Sequence, residues 1–82
     1  LVVHTRFDHL DRAHLQRLAP DLILAPLIAP RWDILDLAAR LDRLGWRGPV
    51  VVQTRPLPRA DLVLGEIRGL FPALTLTLAI AG

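Results

Sequence analysis

PDLILAPLIAPRWDILDLAARLDRLGWRGPVVVQT, residues 20 to 54, decides the fold. Its opening segment, Asp21-Leu22-Ile23-Leu24-Ala25, shows no polar alternation. Continuous apolar character over so few residues fits a strand buried on both faces, the usual condition of a parallel sheet. A loop punctuated by Pro26 and Pro30 follows. Asp33 is placed to cap a helix whose apolar residues Ile34, Leu37, Ala38, Leu41 and Leu44 recur at helical spacing. Asp36 and Arg40 stand four apart on its wet side and can pair there. Gly45 is a natural helix stop. Pro49 then introduces Val50-Val51-Val52-Gln53-Thr54, a β-branched run with strong strand preference. Strand, helix and strand in this order form a βαβ unit.

The same alternation extends in both directions. Upstream, Leu1-Val2-Val3 reads as a short strand ending at His4 and Thr5. Asp8 offers a helix N-cap, with Asp11 adding negative charge to the first turn. Leu10, His14, Leu15 and Leu18 give that helix a lean stripe. Pro20 stops it and pushes Ala19 toward an extended conformation. Downstream, the prolines of Arg55-Pro56-Leu57-Pro58-Arg59 require a loop. Asp61 can cap a third helix running through Phe71, with Val63, Ile67, Leu70 and Phe71 as its stripe. Gly65 and Gly69 each weaken that helix by about 1 kcal/mol relative to alanine. Leu74 to Ile80 alternates leucine and isoleucine with threonine and alanine, as an edge or half-covered strand does.

The expected fold is therefore α/β: a parallel four-stranded sheet with three crossover helices, residues 1–82 forming one domain or a fragment of one. If the strands follow in sequential order, all three helices lie on one face and the other is bare. The central strands nonetheless look apolar on both sides. We therefore expect a truncated domain, or one whose second face a partner covers.

Composition narrows the classes. Of 82 residues, 52% are hydrophobic, above the 45–50% usual for soluble domains and incompatible with disorder. Cysteine is absent, which excludes disulfides, a thiolate nucleophile and a cysteine zinc site, and fits a reducing, cytoplasmic setting. Serine is absent too, so neither a Ser-His-Asp nor a Cys-His constellation can be assembled. The longest uncharged run, Gly69 to Gly82, is shorter than the ~20 residues that span a bilayer. Formal net charge is +2, every cation is arginine, and the arginines are interspersed with acids. Without a basic stripe, direct nucleic-acid binding is not expected. The chain starts at Leu1 and lacks methionine, which suggests a piece of something longer.

Residues 20 to 54 resemble the third strand, third helix and fourth strand of bacterial response-regulator receiver domains, a flavodoxin-like family. That family reads P-D-L, three hydrophobics and D, then a proline- and aspartate-bearing loop, a helix, and G-P-V, hydrophobics and a threonine or serine. Pro30, Asp33 and Thr54 fall in register with it. The resemblance implies a phosphoacceptor aspartate where Pro26 stands, and proline has no nucleophile. It implies an acidic magnesium-binding pair at the end of the first strand, where His4 and Thr5 stand if residues 1–18 are the family's first unit. Those residues match the family's second unit as an alternative. It also implies a lysine after the fifth strand, and the chain has no lysine. Without those carboxylates magnesium lacks its ligands, so no cofactor is expected. The chain reads as a degenerate receiver whose scaffold outlived its phosphoacceptor site.

Other residues carry weaker signals. HTRFDH, residues 4 to 9, resembles the H-x-H-x-D-H zinc motif of metallo-β-lactamase-type hydrolases. Arg6 replaces its second histidine, and His4, His9 and His14 do not share one helical face, so no metal site is expected. Arg6, Arg31, Thr54 and Arg55 fall just beyond strand ends, where open α/β sheets bind ligands, and are candidates for an anion site. No glycine-rich phosphate motif accompanies them. Trp32 and Trp46 flank the best helix as packing caps or interface anchors. The spacing Gly65-x-x-x-Gly69 could admit a close helix. An edge strand at Leu74 to Ile80 would offer its backbone to a second chain.

The function expected from these residues is non-catalytic: a receiver-like interaction or dimerisation domain of a bacterial signalling or transcription-regulatory protein. Its partner would be another protein or a second copy, most simply a homodimer, without membrane attachment. The resemblance implies contact surfaces around Trp46, Leu70 and Leu78, with Trp32 a further candidate. Two alternatives stand beside it: a sensor of an anionic, nucleotide-like small molecule, and a structural subdomain of a larger enzyme.

Overall fold

The computed structural model describes residues 4–27, 29–56 and 58–80. A 3-10 turn at Phe7–His9 precedes α1 (Arg12–Leu18), β1 (Ile23–Pro26), α2 (Ile34–Leu44), β2 (Pro49–Thr54), α3 (Ala60–Leu70) and β3 (Thr75–Ile80). The three strands form one sheet in the order β1-β2-β3. Both pairings are parallel, with Ile23 opposite Val50 and Val50 opposite Leu76. The α/β class and the parallel sheet are as expected. The strand number is not: the described residues hold three strands rather than four. The expected first strand, Leu1-Val2-Val3, lies outside the described residues.

Helix α2 forms as its sequence dictates. Asp33 accepts from the Asp36 backbone N–H, and Asp36 accepts from the Asp33 N–H, each at 3.0 Å, closing a capping box. Gly45 ends the helix at φ 82°, in the left-handed region that glycine tolerates. Ile34, Leu37, Ala38 and Leu41 are buried, as their spacing requires.

The other two helices start and face differently from expectation. Asp11, not Asp8, caps α1, accepting from the His14 N–H at 2.7 Å. Asp8 is taken up in the 3-10 turn, so the helix cannot begin until the chain has straightened at Asp11. Ala19 is left-handed (φ 42°) rather than extended, its N–H bonded to Leu15 O at 2.8 Å. That bond satisfies a terminal carbonyl that Pro20, lacking an N–H, cannot reach. In α3 the N-cap is Arg59, itself left-handed (φ 68°), and Asp61 sits inside the first turn. Its buried face is Ala60, Leu64 and Ile67, while Val63 and Leu70 are exposed, 64% in the case of Leu70. Added Cβ atoms at Gly65 or Gly69 would meet nothing, so no helix approaches there among the described residues.

The core is one cluster joining both helices to a single face of the sheet. Ala25, Val50, Val52 and Leu76 from the strands meet Leu37, Ala38, Leu41, Leu64 and Ile67 from α2 and α3. Leu10 and Leu15 pack against its margin. Residues of opposite parity on the strands stay open: Leu24, Pro26, Gln53, Thr75 and Thr77 are exposed. The alternation expected for the last strand is therefore present, with Leu76 buried and its threonines outside. Edge strand β3 is partly engaged from within, since Arg68 Nε and Nη2 donate to Leu76 O at 3.1 and 2.6 Å. This occupies one backbone acceptor that a second chain would need.

Candidate functional site

Two features compete for attention: a cleft beside α2 and the uncovered sheet face. The cleft is a shallow groove of about 810 Å³, largely open to solvent. Three segments build it. Residues Thr5 to Asp8 form one wall and Pro30, Arg31 and Trp32 another. The outer face of α2 supplies the floor with Asp36, Ala39, Arg40 and Arg43. These four recur at i, i+3, i+4 and i+7, one continuous helical face turned away from the core.

Arg40 holds the cleft together. Its Nη1 donates to Phe7 O at 3.2 Å and Leu10 O at 3.3 Å. Its guanidinium carbon lies 4.2 Å from the centre of the Phe7 ring, a cation–π contact. Phe7 in turn meets Trp32 edge-on, ring centres 5.3 Å apart and planes at 83°. Trp32 is half-buried against the core. The chain Arg40–Phe7–Trp32 therefore ties the N-terminal segment to α2 and to the loop before it. Thr5 Oγ1 and His14 Nε2, 3.0 Å apart, join the same segment to α1.

The cleft's charges are unbalanced. Four arginines line it against Asp8 and Asp36. Asp36 is committed to the capping box instead of pairing with Arg40, which corrects the i, i+4 pair expected from spacing. Among the described residues the one ion pair is Arg47–Asp42 at 3.9 Å, exposed on both sides and worth little. Arg6, Arg31 and Arg43 thus face the cleft without a carboxylate partner among the described residues.

The four anion-site candidates do not converge. Arg6 and Arg31 share the cleft, whereas Thr54 and Arg55, at the end of β2, do not line it. Thr54 spends its hydroxyl locally, donating to Arg55 O at 3.0 Å. Sequence singles out neither Phe7 nor Arg43, and Arg40 only as an ion-pair partner of Asp36; the helical face Asp36–Ala39–Arg40–Arg43 is the signal available. Pro26 ends β1 beside Gln53 and is exposed. Among the described residues no cluster of histidine and carboxylate side chains gathers as a metal site.

The interface candidates also divide. Trp32 belongs to the cleft. Trp46 is half-buried and lies over Gly48, where an added Cβ would come 2.5 Å from the indole ring. Its Nε1 is buried without an acceptor among the described residues. Leu78 is half-buried against the core, and Leu70 is exposed.

The uncovered sheet face is the second feature. Its rows are Leu22 and Leu24 with Pro26, Pro49 with Val51 and Gln53, and Thr75 with Thr77 and Ala79, following the strand registers. Not one is charged. Leu22 is 47% and Leu24 51% exposed. Among the described residues, no helix is long and apolar enough to cross a membrane.

Fold and site together define a small α/β domain with a one-sided parallel sheet and an arginine-lined cleft on its helical layer. No known family model matches the chain, and no curated protein or solved structure is significantly similar to it.

Proposed function

We propose that this chain is a non-catalytic, receiver-like interaction domain of a bacterial signalling or transcription-regulatory protein, acting by contact with a second copy of itself. The observation that carries the reading is a charge-free face of the parallel sheet that none of the described residues covers. Sheets of this kind are almost always covered on both sides, because crossover helices and their apolar strands demand it. Here Leu22, Leu24 and the half-buried Val51 stand on the side that, among the described residues, has no helix. A second copy suits the face better than a charged partner, because stacking two uncharged faces meets no like-charge repulsion and rewards no opposite charge.

The size of the face sets the strength. Three strands about 4.8 Å apart, β1 four residues long and β2 and β3 six, give a patch roughly 14 Å wide and about 13–20 Å long. Two such patches bury an area well below the roughly 1,200 Å² where specific interfaces begin, so association is weak and reversible. Pro26 supports the absence of phosphoryl transfer: it occupies the end of β1 with no group able to take a phosphoryl unit. Incubation with acetyl phosphate and magnesium leaves the mass unchanged under this reading. Sedimentation velocity from tens of micromolar to about 1 mM shows a rising dimer fraction that Leu24→Lys abolishes. A compact monomer throughout that range, or a stable added phosphoryl group, overturns it.

A further inference from the structure

We infer that the cleft beside α2 is a binding site for a nucleoside phosphate, its phosphates held by Arg6, Arg31 and Arg43 and its base laid against Trp32. This goes beyond the sheet-face reading and does not depend on it. The cleft is built on the side of α2 turned away from the core, whereas the uncovered face is on the far side of the sheet.

Three observations converge. The groove, about 810 Å³ and largely open to solvent, has room for a small organic ligand laid along its surface. The charge that is free to act is predominantly positive. Arg40 is spent on Phe7 O and Leu10 O, and Asp36 on the helix cap. What remains toward solvent is three guanidinium groups, with Asp8 the acid not bonded within the cleft. Guanidinium forks pair with phosphate oxygens through two parallel hydrogen bonds, a geometry that lysine cannot offer. The wall between these cations is aromatic. Trp32, half-buried against the core and edge-on to Phe7, lines the cleft beside the charges. An aromatic base stacks on such a surface while its phosphates reach the arginines.

Arginine placement explains why the anion goes here and not to the end of the sheet. Arg6 and Arg31 come from separate loops, and Arg43 from a helix, so the three approach the cleft from different walls. Thr54 and Arg55 lie outside it and serve as an internal control.

The test is titration of the 82-residue chain with ADP, pyrophosphate and adenosine at low salt, followed by the Trp32 indole and arginine Nε–H resonances. ADP is expected to shift the Trp32 and Arg31 signals saturably. Arg31→Ala and Arg43→Ala should each weaken ADP roughly tenfold, since each removes a charge-assisted pair. Arg55→Ala should leave affinity unchanged. Neither Arg31 nor Arg43 makes an ion pair among the described residues, so both variants should remain folded. Absence of any saturable shift with ADP at millimolar concentration overturns the proposal. So does pyrophosphate binding as tightly as ADP, which removes the base from the account. Equal loss in Arg55→Ala overturns it as well, by locating the anion at the strand end. A short single-stranded oligonucleotide that binds far more tightly than ADP replaces the site with a nucleic-acid groove.

Discussion

Replacing Arg40 by methionine isolates what holds the N-terminal segment in place. Methionine keeps most of the apolar stem, so the packing of the side chain's shaft is largely retained. Lost are two hydrogen bonds from Nη1, to Phe7 O and Leu10 O, and the cation–π contact with the Phe7 ring. Each hydrogen bond contributes about 1 kcal/mol net, because the freed carbonyls are near enough to the surface to recover water. The cation–π contact adds about 0.5–1 kcal/mol. The sum is about 2–3 kcal/mol. A domain of 82 residues has roughly 4–12 kcal/mol in all, so the variant loses a large share. Urea unfolding should report that loss, with a fall in Tm of order 10–20 °C. A double-mutant cycle with Phe7→Leu separates the pieces: coupling between the two positions should be about 0.5–1 kcal/mol, with the remainder assigned to the carbonyls. Hydrogen exchange should rise first at residues 5 to 18 and only later in β2, since the tether is local to that segment. A loss below about 0.5 kcal/mol, or a cycle with no coupling, refutes the role assigned to Arg40.

Three further substitutions test the packing and the backbone. Leu41→Ala removes a side chain with no exposed surface from the centre of the core and should cost about 2–5 kcal/mol in urea unfolding. Gly48→Ala should cost about 1–3 kcal/mol, because its new Cβ would fall 2.5 Å from the Trp46 ring and displace it, with a matching change in near-ultraviolet circular dichroism. Ala19→Gly should raise the unfolding free energy by about 0.5–1 kcal/mol, since the left-handed conformation at φ 42° strains alanine by about 1–2 kcal/mol and glycine not at all. A neutral or negative effect there would mean that Ala19 is not left-handed in solution.

What sequence made legible follows from how local each signal is. Helix α2 was readable to the residue because the cap, the stripe and Gly45 agree, and every one of those signals is decided within a few residues. Strands β2 and β3 were readable because β-branching and alternation are local too. The face of α3 was not. Leu62, Val63 and Leu64 are consecutive, so the apolar period fits more than one phase of the helix. The phase is set by Ala60 entering the core and by Arg68 reaching Leu76 O, both tertiary events. The cleft was half legible. Arg6 and Arg31 stood out as loop arginines, but Arg40 acts on carbonyls 30 and 33 positions earlier, a separation at which periodicity says nothing. Spacing suggested an Asp36–Arg40 pair. The helix N-terminus won Asp36 instead, because two backbone bonds of the capping box outweigh one exposed ion pair.

The bare sheet face is the centre of the account, and isotope-filtered NOE spectroscopy on a mixture of labelled and unlabelled chains tests it directly. The account predicts intermolecular contacts among the side chains of Leu24, Val51 and Thr77 at millimolar concentration, and their loss in Leu24→Lys. Strong broadening of those same resonances by a soluble paramagnetic chelate, with no intermolecular contact at any concentration, would contradict it.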